Sequence, residues 1–242
     1  MSETITHNLE TIHNRILAAC KKAGRNTADV RLLLATKTVD SDRIKFALQQ
    51  GETLVGENKV QELEKKCGAI AEYNPEVHFI GHLQTNKAKD VINWATCIES
   101  IDRLKLAKKL HNRLISENKK IDAYIQVNTS YEDSKFGVAP EKALELIEAV
   151  SKFETINIKG LMTIGLFSTE PEKVRKCFRL LKNIQKEAMA LNLPGVSLKE
   201  LSMGMSGDLE IAIEEGATII RVGTAIFGER MYPDSYYWDE TK

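Results

Sequence analysis

Short apolar runs alternate along the chain with longer segments in which apolar residues recur every three or four positions. Runs of strand length begin at eight places: VRLLLAT at residue 30, TLVGE at 53, VHFIGHL at 77, TCIESI at 96, DAYIQVN at 122, IKGLMTIG at 158, LKELSMG at 198 and IIRVGTAIFG at 219. The segments between them place apolar side chains on one helical face, as Leu104, Ala107, Leu110 and Leu114 do. This pattern predicts a strand followed by a helix, repeated along the chain.

An additional amphipathic helix is predicted ahead of the first strand. Its apolar positions are Ile5, Leu9, Ile12, Ile16 and Cys20. Since no linker rich in Pro, Gly or Ser interrupts the alternation, we expect a single domain over residues 1–242. The favoured fold is α/β, a single (β/α)8 TIM-type barrel whose extra N-terminal helix covers its outside or floor. A doubly wound open sheet is the alternative.

Composition narrows the classes of partner. The chain has 242 residues, of which 43% are hydrophobic, and its 34 basic residues balance 34 acidic ones. Without net charge there is no overall field to attract nucleic acid or an anionic membrane. The four cysteines lack metal-site spacing and the N-terminus lacks a signal-peptide pattern, so we expect reduced thiols, no metal and a soluble cytoplasmic protein. A closed barrel leaves no edge strand, which favours a monomer.

Functional residues of a (β/α)8 barrel lie at the carboxyl ends of its strands. Those ends carry Lys37, Glu57 with Asn58, His82, Ser100, Asn128, Met162 with Thr163, and the segments 202–206 and 221–224. Phosphate groups are frequently held by the loops after strands seven and eight. In these loops Ser206 and Thr224 supply hydroxyls, and Gly223 admits close backbone approach. The alternative is that the glycines only satisfy tight turns.

Two cations occupy strand ends that a closed barrel makes neighbours. Lys37 follows the first strand, and Arg221 lies on the eighth. Each has a purely structural alternative, because Lys37 could reach solvent and Arg221 could pair with Glu200 or Glu210. With a phosphate-binding loop beside them, the two cations suit pyridoxal 5′-phosphate (PLP). This cofactor uses an amine for a Schiff base and a charged group near its pyridine nitrogen.

Six motifs extend this interpretation over nearly the whole chain. They are LLLATKTVD, GENKVQE, HFIGHLQTNKAKDV, VNTSYEDSKFGV, KGLMTIG and LSMGMSGDLEIAIEEGATIIRVGTAIFGER. Together they resemble the pyridoxal phosphate homeostasis protein family. The resemblance implies a barrel of PLP fold type III, similar to the N-terminal domain of bacterial alanine racemase, with PLP as the cofactor.

The same resemblance assigns residues to the cofactor. It implies that Lys37 forms the Schiff base and that Arg221 faces the pyridine nitrogen. It further implies that Ser206, Gly223 and Thr224 hold the phosphate, with Ser202 as the alternative to Ser206. The remaining cofactor-binding positions it suggests are Asn58 on the ring side and Met203, together with Met162, packed around the ring.

The resemblance implies a protein that binds PLP, buffers it and supplies it to PLP-dependent apo-enzymes. An arginine beside the pyridine nitrogen disfavours protonation there, which weakens the ring as an electron sink. Racemisation would also need a second acid or base. The segment after strand eight is too short for a further domain, and its Tyr232, Tyr236 and Tyr237 are interpreted as packing or lid residues. We therefore expect a carrier without catalytic residues, with a weak amino-acid racemase as the alternative.

Overall fold

The computed structural model describes residues 2–228, which form a closed barrel. The strands are β1 (Arg31–Ala35), β2 (Leu54–Glu57), β3 (Glu76–Phe79), β4 (Cys97–Ile101), β5 (Ile121–Gln126), β6 (Ile156–Met162), β7 (Val196–Ser202) and β8 (Ile219–Val222). They are parallel and follow chain order around the barrel, and β8 pairs back onto β1 with Leu33 opposite Arg221. That closure excludes the open sheet and confirms the predicted (β/α)8 barrel.

Helices occupy the connections and surround the barrel. They are α1 (Ser2–Lys22), α2 (Ser41–Gln49), α3 (Val60–Ile70), α4 (Ala88–Val91), α5 (Leu104–Ser116), α6 (Ala143–Ser151), α7 (Pro171–Ala190), α8 (Leu209–Glu214) and α9 (Thr224–Phe227). The additional N-terminal helix is confirmed as α1. It lies outside the barrel against α8 and α9, where Arg15 binds Glu210 at 2.7 Å. The tyrosines interpreted as packing or lid residues, Tyr232, Tyr236 and Tyr237, lie outside the described residues.

The carboxyl ends of β7 and β8 differ in detail from the sequence prediction. Strand β8 ends at Val222, and α9 begins two residues later. Helix α8 begins at Leu209, three residues after Ser206. The residues in between form a turn, because the backbone N–H of Met205 donates to the Asp208 carboxylate at 2.6 Å. Ser206 therefore lies in a turn ahead of the helix.

Apolar side chains form two separate cores. The larger core lies between the outer face of the strands and the helices. The smaller one fills the barrel interior and consists of Leu33, Ala35, Leu54, Cys97, Tyr124, Met162 and Ile219. Because side chains alternate along a strand, the interior also receives the buried polar residues His78, Glu99, Ser202 and Arg221. The barrel interior is thus partly charged.

All four cysteines are buried free thiols. Between residues 2 and 228 no helix combines the length and apolar character needed to cross a membrane. Over the same range, no three His, Cys, Asp or Glu side chains group as metal ligands would.

Candidate functional site

The residues predicted to bind the cofactor follow four consecutive strands of the closed barrel. In order around the barrel, β7 leads to Met203 and Ser206, β8 carries Arg221 and leads to Gly223 and Thr224, β1 leads to Lys37, and β2 leads to Asn58. Because β8 pairs with β1, residues from the two ends of the sequence become neighbours. The structure therefore brings the segments that carry the predicted set to one side of the barrel mouth, although the side chain of Met203 turns away from it.

Lys37 lies in a turn that directly follows β1. Thr38 adopts a left-handed φ of 67°, which is uncommon for a residue other than glycine. The Thr36 carbonyl accepts the backbone N–H of Val39 at 2.9 Å, and the Thr36 hydroxyl donates to Glu57 at 2.6 Å. Lys37 itself is half-buried. These hydrogen bonds fix the backbone of Lys37 at the end of the strand. A lysine that only extends into solvent would not need such a fixed backbone.

A buried ion pair between α3 and the end of β2 stabilises this turn. Lys66 on α3 donates to the Glu57 carboxylate and to the Thr36 carbonyl, both at 2.8 Å. The side chains of Lys66 and Glu57 are only 5% and 3% exposed. Burial raises the pKa of Glu57 above its ordinary value, although the Lys66 ammonium opposes the shift. Sequence reasoning placed Glu57 at a strand end and missed Lys66 entirely.

Glycine at position 223 is required by the approach of β8 to β1. A Cβ added there would lie 2.8 Å from the Ala35 carbonyl oxygen. Gly204 has a φ of +93°, and a Cβ on it would lie 2.4 Å from the Ala212 Cβ. Packing alone accounts for both glycines, so the turn alternative stays open beside phosphate binding. Gly204 is buried, whereas Gly223 is half-buried beside the exposed Thr224, and Ser206 is half-buried in the neighbouring turn.

The two candidate serines have different surroundings. Ser202 is fully buried, donates its hydroxyl to Glu99 at 2.6 Å and accepts a hydrogen bond from Arg221 at 2.8 Å. Ser206 occupies the rim turn after Gly204. The Ser202 hydroxyl is thus engaged inside the barrel, and Ser206 is the better placed of the two for a ligand at the mouth.

Asn58 and Met203 differ in their access to the mouth. Asn58 is half-buried directly after β2. Its backbone packs closely against Gly81, because a Cβ added to Gly81 would lie 2.0 Å from the Asn58 carbonyl oxygen. Met203 is completely buried in the larger core between strands and helices. Met162, by contrast, belongs to the interior core. The position of Met203 gives no support to a contact between its side chain and a ligand at the mouth.

Arg221 is buried and donates to two neutral oxygens. Its Nη1 binds the Ser202 hydroxyl at 2.8 Å, and its Nη2 binds the Thr163 carbonyl at 2.7 Å. The carboxylates considered as its structural partners lie elsewhere, because Glu200 accepts the Tyr124 hydroxyl at 2.7 Å and Glu210 pairs with Arg15. Burial lowers the pKa of Arg221, while the Glu99 and Asp208 carboxylates act in the opposite direction. Structural pairing with Glu200 or Glu210 is therefore not the reason for a cation here.

A chain of alternating charges continues from Ser202 through the barrel interior. Glu99 binds His78 Nδ1 at 2.6 Å, and His78 Nε2 binds Glu76 at 2.7 Å. Glu76 in turn pairs with Arg31 at the start of β1. Burial alone would lower the pKa of His78, but the two carboxylates raise it to about 9. His78 is accordingly an imidazolium at neutral pH, and none of this chain was predicted from the sequence.

Replacing His78 by glutamine should lower the free energy of unfolding by about 3–5 kcal/mol at about pH 6, because it removes a buried cation between two carboxylates. The folded pKa of about 9 lies above the unfolded value, so this stabilisation is complete below about pH 6.5 and is lost as the pH rises through about 9. Urea unfolding of the wild-type protein and His78→Gln at about pH 6 and above about pH 9 measures the difference in the free energy of unfolding. His111→Gln is a matched control, since His111 binds the neutral Thr155 hydroxyl. A pH-independent difference for His78→Gln would contradict the imidazolium.

Comparison with known proteins places this geometry in context. The sequence model of the family "Alanine racemase, N-terminal domain" matches residues 2–231. A relative from Aquifex aeolicus named pyridoxal phosphate homeostasis protein is 43% identical over 224 residues, covering 93% of this chain and 97% of the relative. The protein of that name from Escherichia coli is 36% identical over 231 residues, with coverages of 94% and 97%.

Solved structures give the same result at the level of the fold. PipY of Synechococcus elongatus, whose structure has PLP bound, superposes with a TM-score of 0.77 at 29% identity, covering 90% of this chain and 100% of PipY. An alanine racemase from Clostridium difficile superposes with a TM-score of 0.71 at 14% identity, covering 96% of this chain and 58% of the racemase. The second likeness shows a shared barrel and nothing about activity.

Proposed function

Because the chain belongs to the pyridoxal phosphate homeostasis proteins, within the wider family of alanine racemase N-terminal domains, we propose that it binds PLP as a reversible Schiff base on Lys37 and supplies it to apo-enzymes. The observation that carries the proposal is the convergence of Lys37, Arg221 and the two rim turns at one side of the barrel mouth. An amine, a cation and exposed backbone are the groups that an aldehyde, a pyridine ring and a phosphate require.

The described residues fit the cofactor. Gly223 leaves bare backbone beside the exposed Thr224 hydroxyl, and Ser206 lies in the neighbouring rim turn, so these three residues would hold the phosphate. Asn58 follows β2, which flanks β1 on the side away from β8, and it would lie beside the ring. Met203 is left out of the proposed site because its side chain is enclosed by the larger core.

Arg221 would face the pyridine nitrogen. The bound cofactor supplies an aldehyde that condenses reversibly with amines and a ring that withdraws electrons. A guanidinium held by Ser202 and Thr163 would donate a hydrogen bond to the nitrogen and would not give up a proton to it at neutral pH. The ring would then remain a weak electron sink, which suits storage and release of PLP better than carbanion chemistry.

Cellular setting and oligomeric state belong to the same proposal. Four buried thiols suit a reducing compartment, which supports a cytoplasmic location. The sheet of the described residues closes on itself, so it offers no open strand edge for pairing between chains, which supports a monomer.

Trapping the bound cofactor tests the proposed attachment. The protein is incubated with PLP, reduced with borohydride and digested, and the modified peptide is located by mass spectrometry. We expect one pyridoxyl group per chain, on the peptide that contains Lys37. An adduct found mainly on another lysine, or none at all, would overturn the site.

A weak amino-acid racemase is the second candidate, because a Schiff base on Lys37 would serve amino-acid chemistry as well as storage and the chain matches the family of alanine racemase N-terminal domains. Incubation of the PLP-loaded protein with enantiopure alanine in deuterated water distinguishes the two. A carrier should exchange the Cα hydrogen no faster than the same concentration of free PLP. Sustained exchange or racemisation would replace the carrier with the enzyme.

A further inference from the structure

The interior charge chain ends on Arg221, the residue proposed to face the pyridine nitrogen. Glu99 is completely buried on β4, and its two carboxylate oxygens bind different partners. One oxygen binds His78 at 2.6 Å, and the other accepts the Ser202 hydroxyl at 2.6 Å. Ser202 then accepts Arg221 at 2.8 Å. Three bonds thus connect a histidine deep in the barrel to the guanidinium at its mouth.

Glu99 determines which way the Ser202 hydroxyl points. A hydroxyl has one proton, and donation of that proton to Glu99 turns the oxygen lone pairs toward Arg221. The Thr163 carbonyl holds the other terminal nitrogen of Arg221 at 2.7 Å. Two acceptors, one at the end of β7 and one directly after β6, define the plane of the guanidinium. If the Ser202 hydroxyl were free to rotate, one of these two constraints would be lost.

The charges around Glu99 make its buried carboxylate tolerable. Positive and negative side chains alternate away from Glu99. They are His78 and Glu76 on β3, Arg31 on β1 and Glu200 on β7. An isolated carboxylate at this depth would be strongly unfavourable. The His78 ring binds one oxygen of Glu99, and the other oxygen accepts the Ser202 hydroxyl.

We propose that Glu99 and His78 are positioning residues for Arg221, and that they act through Ser202 to aim the guanidinium at the pyridine nitrogen of PLP. This inference rests on the proposed function. A purely structural role would have a different signature, because a loosened barrel would weaken binding of every ligand at the mouth. A positioning role concerns only a ligand that carries the ring nitrogen.

The test compares PLP with its deaza analogue, in which C–H replaces the ring nitrogen. Glu99→Gln keeps the shape of the side chain and removes its charge. We expect this variant and Ser202→Ala each to weaken PLP binding on the order of tenfold, the usual effect of losing a hydrogen bond to a charged group. Binding of the deaza analogue should change by less than about twofold. The dissociation constants are measured by equilibrium dialysis and by the absorbance of the bound cofactor.

The double variant tests the route through Ser202. If Glu99 acts through that hydroxyl, Glu99→Gln with Ser202→Ala should bind PLP no more weakly than the worse single variant. Gln185→Met is the matched control, since it deletes a buried hydrogen bond outside this network, the one from α7 to the Leu198 carbonyl at 2.6 Å. It should leave the affinity for both ligands unchanged.

The outcomes are separable. Equal weakening of both ligands by Glu99→Gln or Ser202→Ala would overturn the positioning role and leave the proposed function standing. A wild-type protein that binds neither ligand would overturn the proposed function as well. If Glu99→Gln fails to fold, as thermal unfolding would show, Ser202→Ala gives the same contrast between the ligands with a smaller change.

Discussion

Lys37→Ala should abolish the borohydride-stable attachment of PLP and weaken its binding by roughly 100-fold, or about 2.8 kcal/mol. Alanine offers no amine for the aldehyde, while Arg221 and the rim turns keep their positions, so residual non-covalent binding is expected. Mass spectrometry of the reduced protein measures the first effect, and equilibrium dialysis measures the second. The covalent and non-covalent parts of the affinity are thereby separated.

Lys45→Ala is the control for this experiment. Lys45 lies on α2, close in sequence to the Lys37 turn, and its ammonium is 4.0 Å from Glu72 on the outside of the barrel. Its removal should change neither the adduct nor the affinity. A Lys37→Ala protein that still carries one stable pyridoxyl group per chain would show that another amine holds the cofactor.

The fold was predictable because a closed barrel imposes the same local pattern eight times. Each strand needs a short apolar run and each connection needs a helix, and both periodicities appear directly in the sequence. Strand ends were less predictable. IIRVGTAIFG looks like one long strand, but β8 ends at Val222, where the backbone of Gly223 approaches Ala35. That contact lies between chain segments almost 190 residues apart and has no local signal.

The placement of the candidate site residues was predictable only where it depends on strand ends. Lys37 and Arg221 could be placed at the mouth because topology alone makes β1 and β8 neighbours. The prediction that Met203 packs around the ring depended on the register of β7, which decides whether Ser202 or Met203 faces the interior. Adjacent residues of a strand face opposite sides, so one of the two had to face the interior, and the structure shows that it is Ser202.

Interior partners could not be predicted, because they join strands that are distant in sequence. Glu99 and Ser202 are separated by 103 positions and hydrogen-bond across the barrel. The alternation of polar residues at 76 and 78 and at 200 and 202 was a signal that polar side chains face inward. It could not say which of them meet.

Lys66 is the clearest case of a residue with a misleading local signal. Its spacing from Glu62 is that of an exposed helical pair, and the two do lie 3.0 Å apart. Its ammonium nevertheless reaches inward to Glu57 and to the Thr36 carbonyl. Lys66 therefore stabilises the Lys37 turn, although its sequence spacing is that of a solvent-exposed helix residue.

Lys66→Met should lower the free energy of unfolding by about 3–5 kcal/mol near neutral pH, because it leaves the buried Glu57 carboxylate without its counter-charge. The second oxygen of Glu57 already lacks a hydrogen-bond partner among the described residues. Burial raises the pKa of Glu57. In the variant a folded pKa above the unfolded value means that stability falls as the pH rises above about 4.5. Urea unfolding at several pH values checks both statements.

Adding Glu57→Gln to Lys66→Met should restore at least about half of the lost stability, because the double variant buries no unpaired charge. The amide oxygen of Gln can still accept a hydrogen bond from the Thr36 hydroxyl. The turn then keeps that bond and loses only the one from Lys66 to the Thr36 carbonyl. Lys65→Met, at the exposed neighbouring position, should change the stability by less than about 0.5 kcal/mol. If the double variant were less stable than Lys66→Met alone, Lys66 would act through its bond to the Thr36 carbonyl and not by neutralising Glu57. The Lys37 turn would then depend on a single hydrogen bond from α3.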